Sequence, residues 1–193
     1  MVNSADCLKN TDEQLVELSL TNPEYYWCLM NRYEEKLLHY ILKISSLSKE
    51  DAEDILQEVF IKVYENLNDF DLSLKFSNWI YRITHNITIS AYRKKRVNPQ
   101  LLSWDYEELN NLIDSTSNIE NVTIQNQTYE KILEIINHLP LKYKEVLILK
   151  FLENKDYQEI SDILHKPMGT IATLLKRAKN LLQQELIKEG IKI

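Results

Sequence analysis

A chain of 193 residues with a net charge of −6, 27% charged residues, two glycines and four prolines is long enough for one or two domains with a core and too poor in turn formers for an all-β fold. It holds no apolar run of about 18 residues, so no membrane-spanning helix is expected. Its polar, acidic start, MVNSADCLKNTDEQ, lacks the basic and apolar segments of a secretory signal.

In chain order, NPEYYWCLMNRYEEKLLHYILKIS predicts a helix opened by Asn22 as cap and Pro23 at the first position, with Trp27, Met30, Leu37, Leu38, Ile41 and Leu42 on its apolar face. Ser48, with Asp51 three residues on, caps the next helix, whose buried set is Ala52, Ile55, Leu56, Val59, Phe60 and Val63. NDFDLSLK reads as a loop. A third helix follows over about residues 76–96, with Phe76, Ile80, Ile83, Ile87 and Ala91 expected inside and Asn78, Arg82, His85, Ile89, Tyr92, Arg93 and Arg96 outside.

Residues 98–124 contain Pro99, many Asn and Ser and no Lys or Arg, and read as a flexible acidic linker. Four more helices are predicted at about 125–138, 140–152, 156–164 and 168–188. The fold class is therefore all-α: two small helical domains, 1–97 and 125–193, joined by the linker. The last two helices are separated by HKPMG. Asp156 and Glu159 mark the start of the first, Pro167 stops it, and Gly169 permits close approach to a neighbouring helix or to a DNA backbone. In the final helix Ile171, Leu174, Leu175, Ala178, Leu181 and Leu182 form a stripe, and the opposite face centres on Thr173, Lys176 and Asn180, flanked by Ala172, Arg177 and Lys179. A buried back with a polar, basic front is what the recognition helix of a helix-turn-helix requires.

Charge is distributed in blocks. Residues 49–71 carry eight acids and two bases, residues 76–96 five bases and no acid, and residues 138–193 ten bases and seven acids. Such alternation implies several partner surfaces in one chain. The histidines at 39, 85, 138 and 165 lack metal-ligand spacing, and Cys7 and Cys28 read as free thiols in a reducing compartment. With no nucleophile–base pair and no phosphate loop, no catalysis, cofactor, metal or small-molecule substrate is expected.

DAEDILQEVFIKVYENLNDF followed by FSNWIYRITHNITISAYRKKR resembles region 2 of bacterial sigma factors. LPLKYKEVLILKFLENKDYQEISDILHKPMGTIATLLKRAKNLLQQEL resembles region 4. With no separate domain between them, the chain resembles the extracytoplasmic-function (ECF) class. The resemblance implies a subunit that binds core RNA polymerase and directs it to promoter DNA, without catalysis of its own, in the cytoplasm, where an anti-sigma factor can hold it at the membrane. It implies core docking by Asp54, Gln57 and Glu58, and contact with the −10 element by Asn78, Arg82, His85, Asn86, Arg93, Lys94, Lys95 and Arg96. It implies −35 reading by Thr170, Ala172, Thr173, Lys176, Arg177, Lys179 and Asn180.

The residue types suit that work. Opening a duplex needs cations along the backbone and aromatic or apolar surfaces for unpaired bases, although Phe76 and Trp79 lie on or near the buried stripe and read as core. The chain departs from the family pattern at His165, where glycine is common, and at Ala172 and Leu174, where many members carry Lys and Arg. The competing readings are a helix-turn-helix regulator with a helical sensor domain and a helical adaptor that binds no DNA.

Overall fold

The structure, a computed structural model, describes residues 4–96 and 123–191, and every regular element among them is helical. The chain divides into an N-terminal and a C-terminal compact unit. The predicted linker lies outside the described residues except for Thr123 and Ile124, which already belong to a helix.

The N-terminal unit consists of α1 (Ser4–Lys9), α2 (Asp12–Thr21), α3 (Tyr26–Ser45), α4 (Lys49–Glu65) and α5 (Phe76–Arg96), with short 3-10 turns at Pro23–Tyr25 and Leu67–Asp69. Two of these helices precede the first one predicted. The signal for α2 is local: Thr11 accepts from the Gln14 backbone amide, and the Gln14 side chain returns the bond to the Thr11 amide at 2.8 Å, a capping box that satisfies two otherwise orphaned donors. Asn22 caps as predicted by residue type, but it caps the 3-10 turn containing Pro23, and α3 begins only at Tyr26.

Around α3 the core is built on tyrosines. Tyr26, Tyr33 and Tyr40 recur at heptad spacing and are buried, and each hydroxyl finds a partner. Tyr26 donates to the Phe60 carbonyl at 2.6 Å, Tyr33 to the Asp12 carboxylate, and Tyr40 is hydrogen-bonded to His85 Nδ1 at 2.9 Å. A buried phenol is stabilising only when its polar end is satisfied in this way. Trp27, expected on the apolar face, is 49% exposed, because the tyrosines turn that face away from it. In α4 all six predicted core residues are buried.

The buried face of α5 differs from the expectation. Phe76 and Ile80 are inside, but the inner face continues through Tyr81, Thr84, His85, Thr88 and Ile89, whereas Ile83, Ile87 and Ala91 are half-buried. The reason is that threonine satisfies itself. Thr84 Oγ1 donates to the Ile80 carbonyl at 2.8 Å and Thr88 Oγ1 to the Thr84 carbonyl at 2.7 Å, so both hydroxyls enter the core without an unmet hydrogen bond.

Cys7 and Cys28 are not free thiols. They form a disulfide between α1 and α3, with Cα atoms 5.2 Å apart, inside the range a disulfide bridges without backbone movement. Their separation of 21 residues gave no sign of this, since the pairing depends on α2 folding back along α3. Closing a loop of that length is worth about 3 kcal/mol in the chain-entropy account.

The C-terminal unit consists of α6 (Thr123–His138), α7 (Leu141–Leu147) with a π turn at Ile148–Leu152, α8 (Tyr157–Leu164) and α9 (Met168–Lys188). Pro140 stands at the N-cap of α7, where its missing N–H costs nothing. Asp156 and Glu159 form a complete capping box on α8, at 2.8 and 2.9 Å. His165 ends α8 in the left-handed region at φ 51°, a conformation histidine tolerates better than most residues. Ile171, Leu175 and Ala178 carry α9 into the core beside Val146, Leu147, Ile160 and Ile163.

Candidate functional site

Three exposed helix faces carry the residues singled out in the sequence. The first is on α4. Its inner face is committed to the core, so Asp54, Gln57 and Glu58 are left on the outside. Positions 54, 57, 58 and 61 follow the i, i+3, i+4, i+7 rule for one face, and the fourth is Ile61, 61% exposed. The stripe is thus acidic with an apolar end. Ile61 was missed because the helical pattern treats an exposed isoleucine as noise.

The second face is on α5. Arg82, Asn86, Arg93 and Lys94 are exposed, and positions 82, 86 and 93 share one side of the helix. Asn78 and His85, expected beside them, point the other way: both are 7% exposed, and His85 meets the Tyr40 hydroxyl. Lys95 is half-buried and its ammonium pairs with the Asp51 carboxylate across from α4. Burial alone would raise the Asp51 pKa. Hydrogen bonds from Lys95 and the Ser48 cap outweigh it, and the net shift is downward. Lys95 therefore ties α5 to the start of α4. The Arg96 side chain lies outside the described residues.

At the start of α5, Phe76 packs against Phe70 at 5.6 Å and Trp79 at 5.7 Å between ring centroids, and Phe70 meets Trp79 at 5.1 Å. Phe76 is wholly buried and Trp79 half-buried, so this cluster forms the floor beneath the preceding loop. In the loop itself Asp71 Oδ1 accepts from the Ser73 amide at 2.9 Å, and Leu72 and Leu74 project into solvent at 42% and 56% exposure.

The third face is on α9. Thr170, Ala172, Thr173, Lys176, Arg177, Lys179 and Asn180 are all exposed, and Ile171, Leu175 and Ala178 opposite them are buried. Leu174 is half-buried between the two. A Cβ added to Gly169 would meet nothing within 4 Å, so close packing inside the unit does not explain the glycine. Lys179 Nζ sits 5.2 Å over the Phe151 ring and Lys150 Nζ 5.6 Å over Tyr157, which holds cationic groups beside the helix-turn-helix. Among the described residues, no group of His, Cys, Asp and Glu is arranged to hold a metal, and no helix is long and apolar enough to cross a membrane.

The family models for Sigma-70 region 2 and Sigma-70, region 4 match residues 29–97 and 129–182. The ECF RNA polymerase sigma factor SigW of Bacillus subtilis (strain 168) is 30% identical over 167 residues, covering 82% of this chain and 87% of the relative. The chain belongs to the ECF class of RNA polymerase sigma factors. The ECF RNA polymerase sigma-E factor of Haemophilus influenzae is 26% identical over 182 residues, 91% of this sigma factor and 95% of the relative. Two solved structures share the fold. CnrH in complex with the cytosolic domain of CnrY has a TM-score of 0.68 at 17% identity, covering 93% of this sigma factor and 99% of that chain. The sigma factor RpoE in complex with the anti-sigma factor NepR from Bartonella quintana has a TM-score of 0.62 at 21% identity, covering 82% and 94%. The N-terminal half is accordingly region 2, which removes the sensor-domain and adaptor readings.

Proposed function

We propose that this sigma factor docks on core RNA polymerase through the Asp54–Gln57–Glu58–Ile61 stripe of α4, engages the −10 element with α5 and the loop before it, and reads the −35 element with α9. On α5, Arg82, Asn86, Arg93 and Lys94 face the nucleic acid, Arg96 continues the basic run, and Asn78, His85 and Lys95 hold the helix in place. Leu72 and Leu74 offer apolar surface to an unpaired base, a role that exposed leucines in a short loop otherwise lack. On α9 the first turns enter the major groove, and the absence of a Cβ at Gly169 lets phosphate approach.

The observation that carries this reading is the division of α9 into a core-committed stripe and an unbroken outer face from Thr170 to Asn180. The chain supplies recognition and the polymerase supplies the chemistry. It works in the cytoplasm, and an anti-sigma factor, the class of partner named for the RpoE relative of its fold, restrains it. The test is run-off transcription with purified core polymerase on upstream regions of the host genome. Specific transcripts that require the added chain are expected; core polymerase with unchanged template selectivity contradicts the proposal.

A further inference from the structure

We propose that Cys7 and Cys28 form a reversible thiol–disulfide site that controls how firmly the N-terminal cap holds the start of α5. The six-residue helix α1 is too short to persist by its own hydrogen bonds, and Leu8, next to its last residue, is 85% exposed. Besides the disulfide, α1 is held by Arg32 of α3, whose Nη2 donates to the carbonyls of Cys7 at 2.5 Å and Asn10 at 3.1 Å, while its Nη1 pairs with Asp12. Asp12 also accepts from the Tyr33 hydroxyl, and the Tyr33 ring meets Phe76 edge-on at 5.6 Å.

The next residue, Glu13, reaches the site described above. Its Oε1 accepts the Phe76 backbone amide at 3.0 Å, satisfying a donor that the first turn of α5 cannot satisfy itself. One continuous set of contacts therefore runs from the cysteine pair through Arg32, Asp12 and Glu13 to the first residue of the −10 helix. Its functional consequence rests on the reading of α5 proposed above.

The sulfurs differ in access. Cys28 is buried, and Cys7, on the terminal helix, is half-buried, so exchange begins at Cys7. A dithiol reductant attacks Cys7 Sγ and expels the Cys28 thiolate. Its second thiol then resolves the mixed disulfide and expels Cys7; the two protons of the reductant end on the cysteines. In the reverse direction a hydroperoxide oxidises the Cys7 thiolate to a sulfenic acid, releasing an alcohol or water. Cys28 displaces hydroxide from that sulfur, and the second proton leaves in water. In a reducing compartment such a pair is open at rest and closes under oxidant.

The full-length protein is exposed to hydrogen peroxide or to dithiothreitol. Alkylatable thiols are counted by mass spectrometry, and amide exchange is followed residue by residue. Peroxide is expected to remove two alkylatable thiols. Reduction is expected to accelerate exchange across α1, early α2 and the Phe76 amide by about tenfold or more and to lower the Tm of this unit by about 15 °C. Cys7→Ser, chosen because Cys28 is buried, should match the reduced protein and respond to neither reagent. Thiols that stay free under peroxide, or a Phe76 amide indifferent to reduction, overturn the proposal. Holoenzyme assembled with each form is then compared for −10 strand binding, which should fall several-fold on reduction of the wild type alone. A holoenzyme that binds no −10 strand in either state, with the exchange response intact, refutes the reading of α5 and leaves the redox site standing.

Discussion

Lys144 lies in α7 with 4% of its surface exposed, and burial pushes its pKa down to about 8 from 10.5. The folded chain therefore binds fewer protons than the unfolded chain between pH 8 and about 10.5, and the lysine's contribution to stability improves as pH rises through that window. Below pH 8 its cost is fully present. Replacing Lys144→Met keeps the length of the stem and removes the charge. The variant should be more stable at pH 7 by about 1–3 kcal/mol, and its advantage in thermal melts should shrink as the pH is raised to 10. An advantage that stays constant with pH would refute the buried-charge account. Neighbouring Glu145, also buried, meets Lys166 at 3.5 Å, so charge at this point in the unit is compensated across the turn that follows α8.

At the scale of the element, α9 and α5 teach opposite lessons. In α9 every residue that matters to packing is aliphatic, and the face predicted by spacing is the face observed. Neighbouring positions should therefore fail differently. Leu175→Ala opens a cavity under the helix and should destabilise the unit by about 2–5 kcal/mol. Lys176→Ala should leave the melting temperature nearly unchanged while flattening preference among −35 variants, since a Lys–guanine contact is worth about 1–3 kcal/mol of discrimination. Thermal melts combined with −35 competition separate the two, and a destabilised Lys176→Ala protein would mean that α9 is rotated from the orientation described. In α5 the inner face lies nearly one residue position away from the one that aliphatic spacing predicts, because Thr84, His85 and Thr88 are polar by type and yet buried. Their polar atoms are met by α5's own carbonyls and by Tyr40, so helix periodicity read from hydrophobicity alone could not find them.

For the molecule as a whole, the net charge of −6 conceals surfaces of opposite sign, and under the proposed function each sign serves a different partner. The acidic stripe of α4 is the one suited to a protein, since negative charge repels DNA. Reversing it with Asp54→Lys and Glu58→Lys together should abolish co-purification with core polymerase and leave helicity by circular dichroism unchanged, because neither side chain is buried. Undiminished binding would reassign the docking face. Ile61→Ala in the same assay should weaken retention less, as the apolar end of one stripe rather than its centre.

By itself the sequence determined the helical fold class, the long helices, the Ser48 cap of α4, the capping box of α8, the helix-turn-helix and the family. Those depend on interactions within a few residues or on motifs many positions long. Only the tertiary structure decided the orientation of α5, the pairing of Lys95 with Asp51, the Glu13 bond to the Phe76 amide and the joining of Cys7 to Cys28. Each of these last joins residues at least 21 positions apart. Whether a threonine is core or a cysteine is free depends on what the fold brings against it, which no local pattern records.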